Sequence, residues 1–169
     1  YEKINNFYPS SRFKLFAPFN YKRINKARES IYNHGLLMGY KFITYIDPSC
    51  KCHTNIIGEN CFILEQNVIQ PYVRIGNNVI LWSGNHIGHH SIIEDNVFIA
   101  SHAVISGSVK LGNNSFIGVN STIRDNVNIG AYNIIGASSL IIKNTNDNSV
   151  YAPRNTEISK IPSNKLIKI

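Results

Sequence analysis

A six-residue repeat of aliphatic side chains runs through the middle of the chain. From Ile57 to Ile141, every sixth residue is Ile or Leu, without an insertion. The fourth residue after each of these positions is small or β-branched, as at Val73 and Ser91. A short strand that turns one large and one small side chain inward, followed by a tight corner, predicts this pattern. An α-helix does not, because six residues rotate a helix by about 600° and would scatter the aliphatic side chains around its surface.

Three such strands complete one triangular turn of about 18 residues, and successive turns stack about 4.8 Å apart. The repeat therefore predicts a mainly β fold, a parallel β-helix with columns of aliphatic side chains inside. The uninterrupted run accounts for between four and five turns. A stack of this kind leaves flat sheet faces and open ends, which favours capping or oligomerisation.

The two ends of the chain do not follow the repeat. The spacing of apolar residues predicts a helix over residues 22–33, ended by His34 and Gly35, and a strand over residues 40–46. Past residue 145 the frame is lost, and two prolines follow, which indicates an extended tail. We therefore expect an N-terminal α/β segment at 1–46, a β-helix domain at 47–145 and a C-terminal tail at 146–169.

Composition narrows the range of functions. The 17 Lys and Arg residues outnumber the 10 Asp and Glu residues, for a net charge of +7, but they are scattered and concentrated towards the two ends. Diffuse positive charge suits a polyanionic small molecule better than nucleic acid. No run of eighteen apolar residues and no secretory signal is present, so a cytoplasmic protein without a membrane span is expected.

Histidines cluster in the stretch GNHIGHHS, residues 84–91, with His102 shortly after it. They lie off the aliphatic frame and so should face outward or occupy corners. Counting one turn onward from His89 leads to Gly107, which has no side chain. A histidine over a glycine can act as a general base beside a backbone N–H that stabilises an oxyanion. The same histidines could also be structural, or could bind zinc.

The stretch NHIGHHSIIEDNVFIASHAVISGSVKLGNNSFIGVNSTIRDNVNIGAYNIIGASSLI, residues 85–141, resembles the hexapeptide-repeat acetyltransferases, in the branch that acetylates sialic acid and bacillosamine precursors. The resemblance extends over about residues 22–145. It implies a left-handed parallel β-helix, a homotrimer and acetyl-CoA as donor. It also implies that the helix and strand before residue 47 correspond to the last α/β unit of a nucleotide-sugar-binding domain. No G-x-G-x-x-G or P-loop motif occurs in the chain.

The resemblance assigns roles residue by residue. His89, in IGHHSIIE, corresponds to the base, and Gly107 corresponds to the glycine whose N–H faces the oxyanion and the coenzyme. The remaining assignments are the coenzyme groove at Gly118, Val119, Gly136 and Ala137, and the sugar side of the site at Asn85, His86, His90 and His102. One departure is that His90 replaces the carboxylate that commonly follows the base. Glu94, Asp95 or an adjacent subunit would then supply a carboxylate, or the base would act unassisted.

The resemblance implies direct, metal-independent N-acetylation of a nucleotide-linked 4-amino-4,6-dideoxy sugar for a surface polysaccharide or glycan. O-acetylation of a sugar is the nearest alternative, since the same base and groove would serve an alcohol. Two other classes remain open: a noncatalytic trimeric scaffold, and a zinc-dependent prism resembling carbonic anhydrase, with a metal held by three histidines.

Overall fold

The computed structural model describes residues 3–19 and 21–165, and most of them form a three-sided parallel β-helix. Its strands are two residues long and pair in parallel with the strands of the turns before and after. The first sheet contains β1 Tyr45–Ile46, β3 Phe62–Ile63, β6 Ile80–Leu81, β9 Phe98–Ile99, β12 Phe116–Ile117, β15 Ile134–Ile135 and β17 Val150–Tyr151. The second contains β2 Lys51–Cys52, β4 Val68–Ile69, β7 His86–Ile87, β10 Val104–Ile105, β13 Thr122–Ile123 and β16 Leu140–Ile141. The third contains β5 Arg74–Ile75, β8 Ile92–Ile93, β11 Lys110–Leu111 and β14 Asn128–Ile129.

The aliphatic frame residues fill the interior, as the repeat predicts. From Ile63 to Ile141 they are buried and form one continuous cluster with the small residues between them. Each buried Ile or Leu contributes about 1.5–3 kcal/mol relative to an exposed one. Strands of successive turns pair residue for residue, as Val104 does with Thr122, so equivalent residues of successive turns lie above one another.

The corners of the β-helix repeat as regularly as its interior. At every sixth residue from Asn60 to Ser138 the backbone takes a left-handed conformation, with φ between 54° and 73°. Asn is the commonest residue there, since its short polar side chain tolerates this conformation well. The three resulting edges are named by the sheets they join, in chain order: first–second, second–third and third–first.

The β-helix extends beyond both predicted boundaries. At its start, Tyr45 pairs with Phe62 and Lys51 with Val68, so the turn between them is shorter than a regular turn by a single residue. At its end, Ile134 pairs with Val150, and that turn is shorter by two. The aliphatic frame is read in steps of six, so it loses these two irregular turns. The tail predicted from residue 146 therefore begins with a strand of the first sheet.

An asparagine ladder lines the third–first edge. The side-chain amide of Asn60 donates to Asn78 Oδ1 at 2.8 Å, and that of Asn78 donates to Asn96 Oδ1 at 2.7 Å. The ladder continues through Asn114, whose amide donates to Glu29 Oε2 at 3.0 Å. The N-terminal segment therefore covers this edge.

Helix α2, Lys26–Leu37, docks on the ladder through a buried arginine. Arg28 is fully buried, and its guanidinium donates to the main-chain oxygens of Asn78 and Asn96 at 3.1 and 2.7 Å. Burial lowers the pKa of Arg28 to about 10, so the side chain stays charged at neutral pH. A charged donor among otherwise unpaired carbonyl groups fixes the position of the helix.

Helix α2 begins and ends four residues later than predicted. Residues 23–25 are all left-handed, which delays its start, and Gly35 is buried within it instead of ending it. Gly39, with a φ of 80°, provides the left-handed residue that follows the helix.

Only part of the predicted strand at 40–46 forms. Leu15 and Phe42 make an isolated parallel bridge on either side of α2, which is a βαβ unit reduced to one pair, and β1 belongs to the β-helix. The remaining helices are α1, Ile4–Phe7, and the short 3₁₀ helix Ser163–Lys165. Across residues 3–19 and 21–165, no helix combines the length and the apolar character needed to cross a membrane.

Arg28→Leu should detach α2 while leaving the β-helix folded. The carbonyl groups of Asn78 and Asn96 would lose a buried donor, at a cost of about 1–3 kcal/mol each. Hydrogen exchange over residues 26–37 should accelerate at least tenfold relative to the parent, by the free-energy relation for local opening. Arg12→Leu, at an exposed position, is the control. Equal protection in both variants would contradict this role of Arg28.

Candidate functional site

His89 packs against Gly107 at the second–third edge, one turn apart. A Cβ atom built on Gly107 would lie 2.7 Å from His89 Cε1 and 2.8 Å from its Nε2. The imidazole thus occupies the space that any other residue at position 107 would need for its own side chain. This placement agrees with the sequence count that set the histidine over the glycine.

Neighbouring turns fix the orientation of His89. Its main-chain N–H donates to Gln70 Oε1 at 2.9 Å, and its carbonyl accepts from Ser108 N at 2.8 Å. Its Nδ1 lies 3.0 Å from His90 Nδ1. The nitrogen on the other side of the ring, Nε2, is therefore the one that lies over Gly107.

Gly107 presents a free backbone donor at the same place. Its carbonyl accepts from Asn126 N at 3.0 Å, but its N–H has no acceptor among the residues that the structure describes. An exposed imidazole nitrogen beside a free N–H offers a proton acceptor and an oxyanion donor together. That combination suits acyl transfer.

The predicted coenzyme residues lie on a different edge, between the first and second sheets. Gly118, Val119 and Ala137 line an apolar cavity of about 340 Å³. Its other walls are Tyr21, Trp82, Phe98, Ala100, Ser101 and Phe116. The remaining predicted residue, Gly136, is covered by the tail, since a side chain there would collide with Pro153.

One chain does not join the base to this cavity. The second sheet separates the second–third edge, with His89 and Gly107, from the first–second edge. One side of the triangle is six residues long, which corresponds to no more than about 20 Å.

The predicted sugar-side residues do not come together around His89. Asn85 is buried, its Oδ1 accepts from Ala103 N at 2.8 Å, and its amide donates to the carbonyl of Trp82. The prediction that Asn85 contacts the sugar is therefore wrong, because its side chain serves the interior ladder.

Two of the predicted histidines lie away from the base. His86 faces outward on the second sheet between Val68 and Val104. His102 lies on the first–second edge against Gly84, where an added Cβ would be 2.7 Å from its ring. Of the four predicted sugar-side residues, only His90 contacts His89.

Glu94 and Asp95 are not close partners of His89. Both follow β8 and so belong to the third–first edge. Glu94 forms an ion pair of 2.7 Å with Lys110, and Asp95 accepts from Asn77 N at 2.7 Å. The prediction that one of them assists the base within this chain is therefore wrong.

Two residues of the preceding turn were missed by the sequence analysis. Gln70 supports the main chain of His89, and Tyr72 stacks on His90 with ring centroids 4.7 Å apart. Tyr72 could have been found, since it occupies the position of His90 one full turn earlier. Tyr21, in the cavity wall, carried no comparable signal because it lies outside the repeat.

Cysteine chemistry and metal binding have little support in this arrangement. Burial raises the pKa of Cys50 and of Cys61 to about 11, so both remain thiols at neutral pH. Throughout the described part of the chain, no three His, Cys, Asp or Glu side chains form a group that could hold a metal ion.

Comparison with known folds gives several solved structures of similar architecture. The acetyltransferase domain of PglB from Neisseria gonorrhoeae FA1090 matches with a TM-score of 0.82 at 21% identity, over 90% of this chain and 73% of that one. The same domain in complex with acetyl coenzyme A gives 0.81 at 22%, over 89% and 72%. A mutant perosamine N-acetyltransferase from Caulobacter crescentus, in complex with CoA and GDP-perosamine, gives 0.81 at 18%, over 90% and 71%.

Comparison by sequence identifies the repeat itself. No curated protein matches the chain. The family model described as "Bacterial transferase hexapeptide (six repeats)" matches residues 56–87, 72–107 and 108–143, which together make up just over half of the chain. The predicted fold, a left-handed parallel β-helix of hexapeptide repeats, is confirmed. The chain belongs to the bacterial hexapeptide transferase family.

Proposed function

We propose that this protein transfers an acetyl group from acetyl-CoA to the amine of a nucleotide-linked 4-amino-4,6-dideoxy sugar, in the cytoplasm, for a surface polysaccharide or glycan. The observation that carries the proposal is the contact of the His89 imidazole with Gly107, beside the free N–H of that glycine. No other described histidine has this combination, since His102 packs on a left-handed glycine at another edge.

In the proposed reaction the sugar amine attacks the thioester carbonyl directly. His89 Nε2 accepts the proton that the amine loses, and the Gly107 N–H donates to the oxyanion of the tetrahedral intermediate. The intermediate collapses with cleavage of the carbon–sulfur bond, and the departing thiolate takes the proton from His89. The amide and free CoA are the products, and the base is restored without a covalent enzyme intermediate.

The identity of the acyl acceptor rests on charge and on the similar structures. One of them is a perosamine N-acetyltransferase with CoA and GDP-perosamine bound, and another holds acetyl coenzyme A. A net charge of +7 favours the approach of two polyphosphate ligands of this kind.

The proposed active site forms between copies in a homotrimer. The base is on the second–third edge, and the coenzyme residues Gly118, Val119 and Ala137 are on the first–second edge. Side-by-side packing of three β-helices brings these two edges together at each contact between copies, here called a seam. The second sheet between the edges exposes Val104 and Leu140, which is consistent with burial in an assembly.

His89→Ala should abolish transfer while leaving the fold intact. Loss of a general base lowers the rate about 10²–10⁴-fold. The measurement is release of free thiol from acetyl-CoA across a panel of nucleotide-linked amino sugars. His53→Ala, an exposed histidine two turns earlier on the same edge, is the control. Equal rates for His89→Ala and the parent would remove the base assignment.

Gly107→Ala should displace the base without unfolding the chain. The new Cβ would need the space of the imidazole, and a side chain on an exposed edge rotates away at a cost below about 1 kcal/mol, less than overpacking a core. The imidazole NMR signals of His89 should shift, and transfer should fall. Ser108→Ala, at the next exposed position, is the control. Unchanged His89 signals would show that the ring does not rest on Gly107.

Two inactive variants should complement each other in mixed trimers. Val119→Trp would block the coenzyme edge, and His89→Ala would remove the base. When equal amounts assemble together, about a quarter of the seams in a cyclic trimer carry both intact halves, so about a quarter of the parent activity should return. Mixed trimers without activity would contradict a site shared between copies.

A further inference from the structure

The contact between His89 and His90 reveals a second function for the side chain that replaces the expected carboxylate. Their Nδ1 atoms are 3.0 Å apart, and the two rings meet edge to face at 86°. Two imidazole nitrogens at this distance share one proton, because neither two lone pairs nor two N–H groups can face each other there.

The direction of this hydrogen bond determines whether His89 can act as a base. If His89 donates from Nδ1, its Nε2 keeps a lone pair over Gly107. If His90 donates, the proton of His89 is on Nε2, and the nitrogen over Gly107 cannot accept a proton. The free N–H of Gly107 makes the floor under the ring a donor, which favours a lone pair at Nε2.

Protonation of His89 leaves only one direction for the hydrogen bond. An imidazolium carries N–H groups on both nitrogens, so the contact with His90 survives only when His90 accepts at Nδ1. Within the described chain no carboxylate takes this place: Glu94 and Asp95 lie on another edge, and Asp125 is two turns, about 10 Å, from His89.

His90 itself is held from two directions. Its backbone is left-handed with a φ of 59°, and its N–H donates to the carbonyl of Pro71 at 3.2 Å. Its ring stacks on Tyr72, with an interplanar angle of 28°. A ring fixed in this way presents Nδ1 to His89 without searching other rotamers, which lowers the entropy cost of the hydrogen bond.

We propose that His90, braced by Tyr72, is a positioning residue that accepts a hydrogen bond from His89 Nδ1 and thereby keeps His89 Nε2 unprotonated over Gly107. The proposal rests on the proposed function for its consequence in catalysis, and it concerns a proton position that exists without substrate. A neutral imidazole thus takes the part for which a carboxylate was expected.

The chain itself supplies substitutions that suit the left-handed backbone at position 90. Gly84 and Asn126 occupy equivalent corner positions. On the same edge as His90, the Asn126 side chain already contacts its preceding neighbour, with its amide 2.7 Å from Asp125 Oδ2. His90→Gly therefore removes the acceptor, and His90→Asn keeps one within reach of residue 89.

The test reads the His89 tautomer by ¹⁵N NMR of the imidazole, with the full-length protein at alkaline pH, where both rings are neutral. In the parent and in His90→Asn, the proton of His89 should be on Nδ1. In His90→Gly, the Nε2–H form should become substantially populated. A parent with its proton on Nε2, or an unchanged tautomer in His90→Gly, would overturn the proposal.

Kinetics provide a second measurement that separates positioning from binding. His90→Gly should lower kcat on the order of tenfold with KM for acetyl-CoA unchanged, and His90→Asn should restore most of it. A rise in KM alone would overturn the positioning role in favour of substrate binding. If the parent transfers no acetyl group but shows the expected tautomer, the proposed function fails and the inference about His90 stands.

Discussion

The length of one turn is the constraint on which this structure depends. Six residues on each of three sides bring every residue above its equivalent in the next turn, so the chain stacks like upon like. That register builds the aliphatic columns, the asparagine ladder at the third–first edge, and the placement of His89 on Gly107. A fold with this regularity needs no loop to build a site, because a single substitution at a corner changes what the next turn meets. Gly107 illustrates this, since the missing Cβ leaves the space that the imidazole fills.

The sequence predicted the regular part of the molecule well. The repeat contained the number of residues per side, the identity of the inward positions and the pairing of His89 with Gly107. It failed where the turn length changes, because the shortened turns at the start and at the end conceal two further turns of the β-helix. Helix α2 was displaced because its start depends on three left-handed residues and its position on Arg28, whose partners are on distant turns.

The candidate site was predictable only in part, for a similar reason. Counting by turns finds residues that stack, but it does not say which edge faces a ligand. Asn85 shared a short segment with the histidines and is buried, while His102 is on another edge. The coenzyme residues also stack on one another, yet their edge differs from that of the base. Sequence proximity therefore overstated how compact the site is within one chain, and the two halves meet only in an assembly.

The central claim is that acyl transfer takes place where His89 overlies Gly107. A crystal structure of the protein with CoA tests it most directly. The account predicts the coenzyme sulfur within about 4 Å of both His89 Nε2 and Gly107 N, the contact range for reacting groups, with the pantetheine arm passing Val119 and Ala137 of a neighbouring copy. CoA bound with its sulfur at any other edge, or far from His89, would contradict the account.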